Sequence, residues 1–148
     1  MELVLWRHAD AEDGIPDEAR KLTPKGVKQA ERMAAWLRER LPQHAHILAS
    51  PARRAQQTAQ ALSTKFKTSS ALGTLTTPQA LLTATGWPDG GGTVVVVGHQ
   101  PTLGAAAALA LTGTAAAWSV KKGAIWWLTY RESGDEVVVR AVMAPDML

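Results

Sequence analysis

Short runs of consecutive apolar residues alternate along the chain with longer stretches in which apolar residues recur every three or four positions. The short runs lie at residues 2–6, 46–49 and 93–97. The last of them, TVVVV, is apolar at consecutive positions, which is typical of a parallel strand covered on both faces. The longer stretches have the spacing of amphipathic helices. Strands separated by helices predict an α/β fold of three layers, α/β/α, around a mostly parallel central sheet.

Residues that favour helix starts follow the first two apolar runs. Thr23 can cap a helix whose first residue is Pro24, and Pro42 ends the apolar periodicity. Ser50 and Pro51 repeat this arrangement, so Ser50 is expected to cap the second helix. Further helices are predicted from Pro78 and over residues 101–113, and two late strands near residues 124–130 and 136–142.

The length and composition are those of an ordinary globular domain, and we expect a single domain over residues 1–148. The chain has no cysteine, which excludes disulfides and thiolate metal ligands. No apolar run approaches the roughly 20 residues that span a bilayer. The first residues do not resemble a signal peptide. These features predict a cytoplasmic protein that does not act at a membrane.

The net charge of +3 changes this picture little. The basic residues are dispersed along the sequence and form no dense stripe, so no nucleic-acid partner is expected. A modest positive balance also suits an enzyme that acts on anions.

Arginine and histidine side chains follow the ends of all three predicted early strands. Arg7 and His8 come directly after the first, Arg53 and Arg54 lie in the first turn of the helix after the second, and His99 follows the third. In parallel sheets the carboxyl ends of the strands meet at one edge, where ligands bind. We therefore expect these side chains to converge on one crevice.

A crevice with arginines and two imidazoles is suited to a dianion such as phosphate, whose oxygens arginine can hold in pairs. One imidazole could attack phosphorus through a ring nitrogen. It would have to be neutral, with its other nitrogen donating to a fixed group such as a backbone carbonyl. The remaining donors would stabilise the charge that develops on the phosphoryl oxygens.

Four blocks, LWRHADAE, LTPKGVKQA, SPARRAQQTA and VVVVGHQPTL, resemble the signature blocks of the histidine phosphatase (phosphoglycerate mutase-like) superfamily, in the expected order. The small size and the stretch KKGAIWWL are most similar to the SixA-type phosphohistidine phosphatases. The resemblance runs over nearly the whole chain. It implies a phosphoglycerate mutase-like fold and a phosphatase that uses neither a cofactor nor a metal ion.

The resemblance also implies roles for individual residues. His8 matches the residue that becomes phosphorylated, Arg7 the first phosphate-clamping arginine and His99 the second histidine of the pocket. The second clamping arginine of the family stands four residues after the serine of Ser-Pro, which selects Arg54. Arg20, which precedes KLTPKG, is a weaker match to a substrate-binding residue.

Two departures from the family pattern bear on the substrate. Ala9 replaces the usual glycine after Arg-His, so the backbone there should avoid positive φ. Mutase-like members carry a carboxylate general acid before the third strand, whereas residues 68–88 contain no Asp or Glu. The early loop offers conceivable substitutes at Asp13, Asp17 and Glu18. A phosphorylated imidazole is a better leaving group than an alkoxide, so a missing acid favours phosphohistidine.

Phosphohistidine on a partner protein is therefore the expected substrate, in a signalling context. Two alternatives remain open: a small-molecule phosphomonoesterase acting on sugar or nucleotide phosphates, and a non-catalytic phosphate-binding module. His44 and His46 lack acidic or cysteine neighbours and are expected to be exposed loop residues. Trp87 is expected at the mouth of the pocket.

Overall fold

The computed structural model describes residues 1–148 and contains one six-stranded sheet. In chain order the strands are β1 (Glu2–Arg7), β2 (His46–Ala49), β3 (Lys67–Thr68), β4 (Thr93–Gly98), β5 (Ile125–Arg131) and β6 (Glu136–Met143). The longer helices are α1 (Pro24–Arg38), α2 (Arg53–Leu62), α3 (Pro78–Thr85) and α4 (Thr102–Thr112). Every strand and helix predicted from the sequence is present, with bounds that differ by a few residues.

The strand order β3-β2-β4-β1-β5-β6 places β1 and β4 in the middle of the sheet. The four strands β3, β2, β4 and β1 run parallel. On the other side of β1, β5 pairs antiparallel with β1, and β6 pairs antiparallel with β5. The mostly parallel sheet that the sequence predicted is thus confirmed. Because β1, β2 and β4 are parallel, their carboxyl ends lie at the same edge.

Alternate side chains of the central strands enter two separate hydrophobic cores. Leu5 and Val96 pack with α3 and α4 on one face, whereas Trp6 and Val97 pack with α1 and α2 on the other. The run TVVVV is apolar at consecutive positions because both of its faces are covered by helices. The three-layer architecture is therefore as predicted. No helix is long and apolar enough to cross a membrane.

The starts of α1 and α2 differ in how they are capped. Thr23 Oγ1 accepts a hydrogen bond from Gly26 N–H at 3.0 Å, and Pro24 is the first helical residue, as predicted. Ser50 does not cap α2, because the helix begins only at Arg53. Ser50 Oγ instead accepts from Ala52 N–H at 3.2 Å and is free to contact another segment.

The loop after β1 is held tightly against the start of α1. Asp10 O accepts from Thr23 N–H at 3.0 Å, and a Cβ on Gly26 would lie 1.9 Å from the same oxygen. Only glycine fits at this position, because any side chain would overlap the backbone of Asp10. The close approach fixes the segment that follows His8.

Strand β3 was not predicted from the sequence. It has two residues, both exposed and one of them charged, so it carries no apolar alternation that a pattern could reveal.

Candidate active site

A cavity of about 200 Å³ opens at the carboxyl edge of the parallel strands. The structure brings Arg7, His8, Arg54, His99 and Arg20 together around it. Its other lining residues are Ala11, Asp13, Thr74, Gln100 and Lys122. The side chains that the sequence placed after three different strands therefore surround one small, strongly cationic cavity.

His8 lies at the end of β1 and is 7 % exposed. Its Nδ1 is 2.8 Å from the backbone oxygen of Ala9. A carbonyl oxygen only accepts hydrogen bonds, so Nδ1 carries the proton of the neutral ring and Nε2 carries the lone pair. Burial lowers the pKa of His8 to about 3, so the ring is neutral at pH 7.

Ala9 supplies this carbonyl without backbone strain. The only non-glycine residue with positive φ in the chain is Asp135, far along the sequence, so Ala9 adopts an ordinary conformation as expected. Ala9 N–H donates to Thr58 Oγ1 at 3.1 Å, and this bond ties the residue after His8 to α2. The position of the His8 ring is therefore set by β1, which precedes it, and by α2, to which Ala9 is bonded.

His99 follows β4 and is 4 % exposed. Its Nε2 lies 2.7 Å from Ser50 Oγ. Since Ser50 Oγ already accepts from Ala52 N–H, its own hydrogen is available to His99 Nε2, and this arrangement favours the tautomer with the proton on Nδ1. Burial, followed by the charge of Arg54, lowers the pKa of His99 to about 4.

The contact with Ser50 was missed from the sequence. Ser50 is fully buried, and its position after β2 and before Pro51 is also typical of a helix cap, which is the interpretation that the sequence favoured. The expected convergence of the three loops is the one signal that could have paired Ser50 with His99, because both residues directly follow neighbouring parallel strands.

The two adjacent arginines of α2 have different environments. Arg54 is 3 % exposed and lines the cavity, whereas Arg53 is exposed and lies outside it. Arg54 donates from Nη1 to Asp17 O at 2.8 Å and from Nη2 to Asp17 Oδ2 at 3.0 Å. The bond from Nη2 to the carboxylate lowers the pKa of Asp17.

Arg7 and Arg20 approach the cavity from two other segments. Arg7 Nη1 donates to Val120 O at 2.9 Å, and burial lowers the pKa of its guanidinium. Arg20 donates from Nε to Asp17 Oδ1 at 3.0 Å and from Nη1 to Glu12 O at 3.1 Å, so it is held at the border of the cavity.

Three buried side-chain nitrogens in the chain have no hydrogen-bond partner: Arg7 Nε, Arg54 Nε and His99 Nδ1. All three belong to residues that line this cavity. A buried donor without a partner destabilises a protein by about 1–3 kcal/mol, so their concentration at one place indicates a site for an acceptor. An anion is the acceptor that the surrounding charge favours.

Among the carboxylates proposed from the sequence, only Asp13 lines the cavity. Asp17 is ion-paired with Arg54 and Arg20, and Glu18 is exposed and outside the cavity. The segment of residues 68–88 contributes Thr74, which has no acidic proton to give. The sequence did not single out Thr74, Gln100 or Lys122, although Gln100 lies in VVVVGHQPTL and Lys122 in KKGAIWWL.

The remaining candidates lie elsewhere. His44 and His46 are exposed, as expected, although His46 is the first residue of β2 and not a loop residue. Both border a larger cavity of about 760 Å³ near the amino ends of β2 and β4. The prediction for Trp87 is wrong: it packs edge-on against Tyr130, with ring centroids 6.2 Å apart, and does not line the site. Its loop precedes β4 and so lies at the opposite edge of the sheet.

Sheet order, layers and site position together define the phosphoglycerate mutase-like class of α/β proteins. Within that class, residues 3–73 match a family model described as the histidine phosphatase superfamily (branch 1). An uncharacterized protein from Mycobacterium tuberculosis is 36% identical over 122 residues, which cover 75% of this chain and 74% of that protein. The chain belongs to the histidine phosphatase superfamily.

Solved structures extend this similarity over the whole chain. The protein histidine phosphatase SixA complexed with tungstate has a TM-score of 0.85 and 25% identity, and the match covers 99% of both chains. A protein from Nakamurella multipartitia, assigned as phosphohistidine phosphatase SixA, has a TM-score of 0.78 and 27% identity. That match covers 97% of this chain and 95% of the other. The resemblance to the superfamily inferred from the four sequence blocks is thus confirmed.

Proposed function

We propose that this chain is a phosphohistidine phosphatase, which moves a phosphoryl group from phosphohistidine on a partner protein first to His8 and then to water. The three unpaired buried donors beside His8 carry the proposal. They supply hydrogen bonds that a phosphoryl group can accept, and the adjacent ring supplies a nucleophile.

His8 is suited to nucleophilic attack in its ground state. Its Nε2 has no hydrogen-bond partner, and the bond from Nδ1 to Ala9 O keeps the lone pair on Nε2. Because its pKa is about 3, the ring needs no prior deprotonation at neutral pH. Its positive charge after attack would be stabilised by the phosphoryl dianion attached to it.

The first step forms a bond between His8 Nε2 and phosphorus and breaks the bond between phosphorus and the substrate imidazole. The departing ring nitrogen takes its proton from solvent or from a neighbouring group, and the substrate leaves as neutral histidine. In the second step water attacks phosphorus, His8 Nε2 departs with the bonding pair, and orthophosphate forms.

Arg7, Arg54 and His99 would hold the phosphoryl oxygens through both steps. Removing one donor aimed at charge that develops in a transition state reduces the rate by about 10²–10³. Both Nη atoms of Arg54 donate to Asp17, so Asp17 would keep the guanidinium oriented. Arg54 Nε has no partner in the protein and would donate to a phosphoryl oxygen. Arg20 would contribute positive charge from the border of the cavity.

The carboxylates of the site favour phosphohistidine over a phosphomonoester. Asp17 is ionised because of its bonds to Arg54 and Arg20, so it has no proton to give at neutral pH. Asp13 is the single remaining carboxyl group of the cavity. An imidazole leaves without strong acid assistance, whereas an alkoxide depends on it.

Parallel assays with two classes of substrate test this proposal. One class is a chemically phosphorylated histidine protein, and the other is a panel of sugar and nucleotide phosphates. We expect kcat/KM to be highest for the phosphohistidine protein. A preference for a member of the small-molecule panel would instead identify a phosphomonoesterase. Phosphate binding without turnover of either class would identify a non-catalytic module.

A further inference from the structure

Two aliphatic side chains beside the candidate active site are almost fully exposed. Ile15 is 97% exposed and Leu75 is 96% exposed, whereas the next most exposed large apolar residue, Met147, is 75% exposed. Ile15 follows Asp13 by two residues and Leu75 directly follows Thr74, and both Asp13 and Thr74 line the cavity. We call Ile15 and Leu75 the aliphatic rim.

The loop that carries Ile15 is held in place by its own hydrogen bonds. Glu12 N–H donates to Lys21 O at 2.8 Å and closes the base of the loop. Near the tip, the ion pair between Asp17 and Arg54 fastens the loop to α2. The exposure of Ile15 is therefore a property of a bonded loop conformation.

Leu75 is presented in a similar way from a second segment. Thr76 N–H donates to Gly73 O at 3.2 Å, and Thr76 Oγ1 donates to Ala71 O at 2.5 Å. These bonds close a turn with Leu75 at its outer side. Two unrelated segments, each of which contributes a lining residue to the same cavity, thus each expose one aliphatic side chain.

Isolated apolar residues on a surface are common, so exposure alone indicates nothing. The position is what distinguishes this pair, because the two most exposed large apolar residues of the chain both lie within two residues of a residue that lines one site. Neither residue lines the cavity itself. A substrate that fits within about 200 Å³ would not reach them, whereas one that extends beyond the opening would.

We propose that the aliphatic rim is a docking surface for a partner protein whose phosphohistidine is surrounded by apolar side chains. This inference rests on the proposed function and adds the chemistry of the partner surface. When the phosphorylated ring enters the cavity, the residues around it come to lie against Ile15 and Leu75. Burial of this apolar surface then contributes to binding.

Two synthetic peptides test the inference. Each contains one chemically phosphorylated histidine, flanked by leucines in one peptide and by serines in the other. Nα-acetyl phosphohistidine serves as a substrate too small to reach the rim. The enzymes are the unaltered chain, Ile15→Ser, Leu75→Ser, the double variant, and Val139→Ser as a control that is 43% exposed on the edge strand β6.

We expect the unaltered chain to show a kcat/KM about tenfold higher for the leucine peptide than for the serine peptide. The double variant should lose this preference through a higher KM, while its rate on Nα-acetyl phosphohistidine stays unchanged. Val139→Ser should retain the preference. Because both rim residues are fully exposed, their replacement should leave the thermal midpoint unaltered.

Equal rates on the two peptides, or a preference that survives in the double variant, would overturn the docking surface and leave the proposed function intact. No hydrolysis of Nα-acetyl phosphohistidine or of either peptide by the unaltered chain would overturn the proposed function, and the docking surface with it.

Discussion

The imidazole rings of His8 and His99 face each other at the carboxyl edge of the sheet, with their centroids 5.2 Å apart and their planes inclined by 56°. His8 Nδ1 donates to the backbone, and His99 Nε2 is bonded to Ser50. The lone pair on His8 Nε2 and the N–H on His99 Nδ1 therefore have no hydrogen-bond partner in the protein. A nucleophile and a hydrogen-bond donor lie side by side, which is what transfer of a phosphoryl group requires.

The two buried histidines should make folding stability depend on pH. Their pKa values are lowered to about 3 and about 4 in the folded chain, mainly by burial, whereas an unfolded histidine has a pKa near 6.5. Between these values the unfolded chain binds more protons, so stability is highest above pH 6.5 and falls as the pH decreases. The expected slope is about 1.4 kcal/mol per pH unit for each histidine.

Urea unfolding at pH 7, 6 and 5 measures this dependence. His8→Gln should reduce the slope of the unfolding free energy against pH by the contribution of one histidine, about 1.4 kcal/mol per pH unit. Gln43→Ala, which alters an exposed residue that has no titratable side chain, should leave the slope unchanged. Equal slopes in the unaltered chain and in His8→Gln would show that His8 titrates normally in the folded protein.

Arg54 and Arg53 provide a matched pair for anion binding. Arg54→Ala removes a buried guanidinium with an unpaired nitrogen at the cavity, and we expect the Kd for orthophosphate or tungstate to rise by at least about tenfold. Arg53→Ala removes a charge of the same sign one residue away, outside the cavity, and should change the Kd by less than about twofold. Isothermal titration calorimetry measures the Kd of both variants. Equal losses of affinity would mean that binding depends only on the net charge.

Ser50 should act as a positioning residue for His99. Ser50→Ala removes the hydroxyl bonded to His99 Nε2, and we expect kcat to fall about fivefold to tenfold with KM little changed. The ¹⁵N spectrum of His99 provides a readout that loss of packing would not move. It should shift from mainly Nδ1-protonated in the unaltered chain to a mixture of tautomers in the variant. An unaltered tautomer would contradict the role.

Asp13 should matter for phosphate esters and not for phosphohistidine. It is the only carboxyl group lining the cavity, and Asp13→Asn removes its capacity to donate a proton. For phosphohistidine we expect a change in kcat of less than about threefold, because the imidazole leaves without strong acid assistance. Residual hydrolysis of a phosphomonoester should fall further. A loss of about 10² on phosphohistidine would make Asp13 its general acid.

Much of this fold follows from short-range patterns. The run TVVVV, covered on both faces, and the Thr23-Pro24 start of α1 were predicted because strand burial and helix capping leave local marks in a sequence. Strand β3 left no such mark, since two exposed residues carry no periodicity. The prediction for Trp87 was wrong because its loop precedes the amino end of β4, whereas the site lies at the carboxyl end of that strand.

The site was predictable where one rule of topology applied. Arg7 ends β1, and His8 and His99 directly follow the parallel strands β1 and β4, so their convergence could be expected because the carboxyl ends of parallel strands meet at one edge. The same rule could have paired Ser50 with His99, because both residues follow neighbouring parallel strands. The pairing of Arg54 with Asp17 depends on distances between distant segments. Such distances are set by packing, and no spacing in the sequence encodes them.

Capture of the covalent intermediate tests the central claim most directly. The chain is mixed with a phosphohistidine protein, quenched within milliseconds at alkaline pH, digested and examined by mass spectrometry. We predict an acid-labile phosphoryl group on His8, its absence in His8→Gln, and its presence in His44→Gln. Turnover without any phosphorylated intermediate, or with the phosphoryl group on His99, would contradict the account.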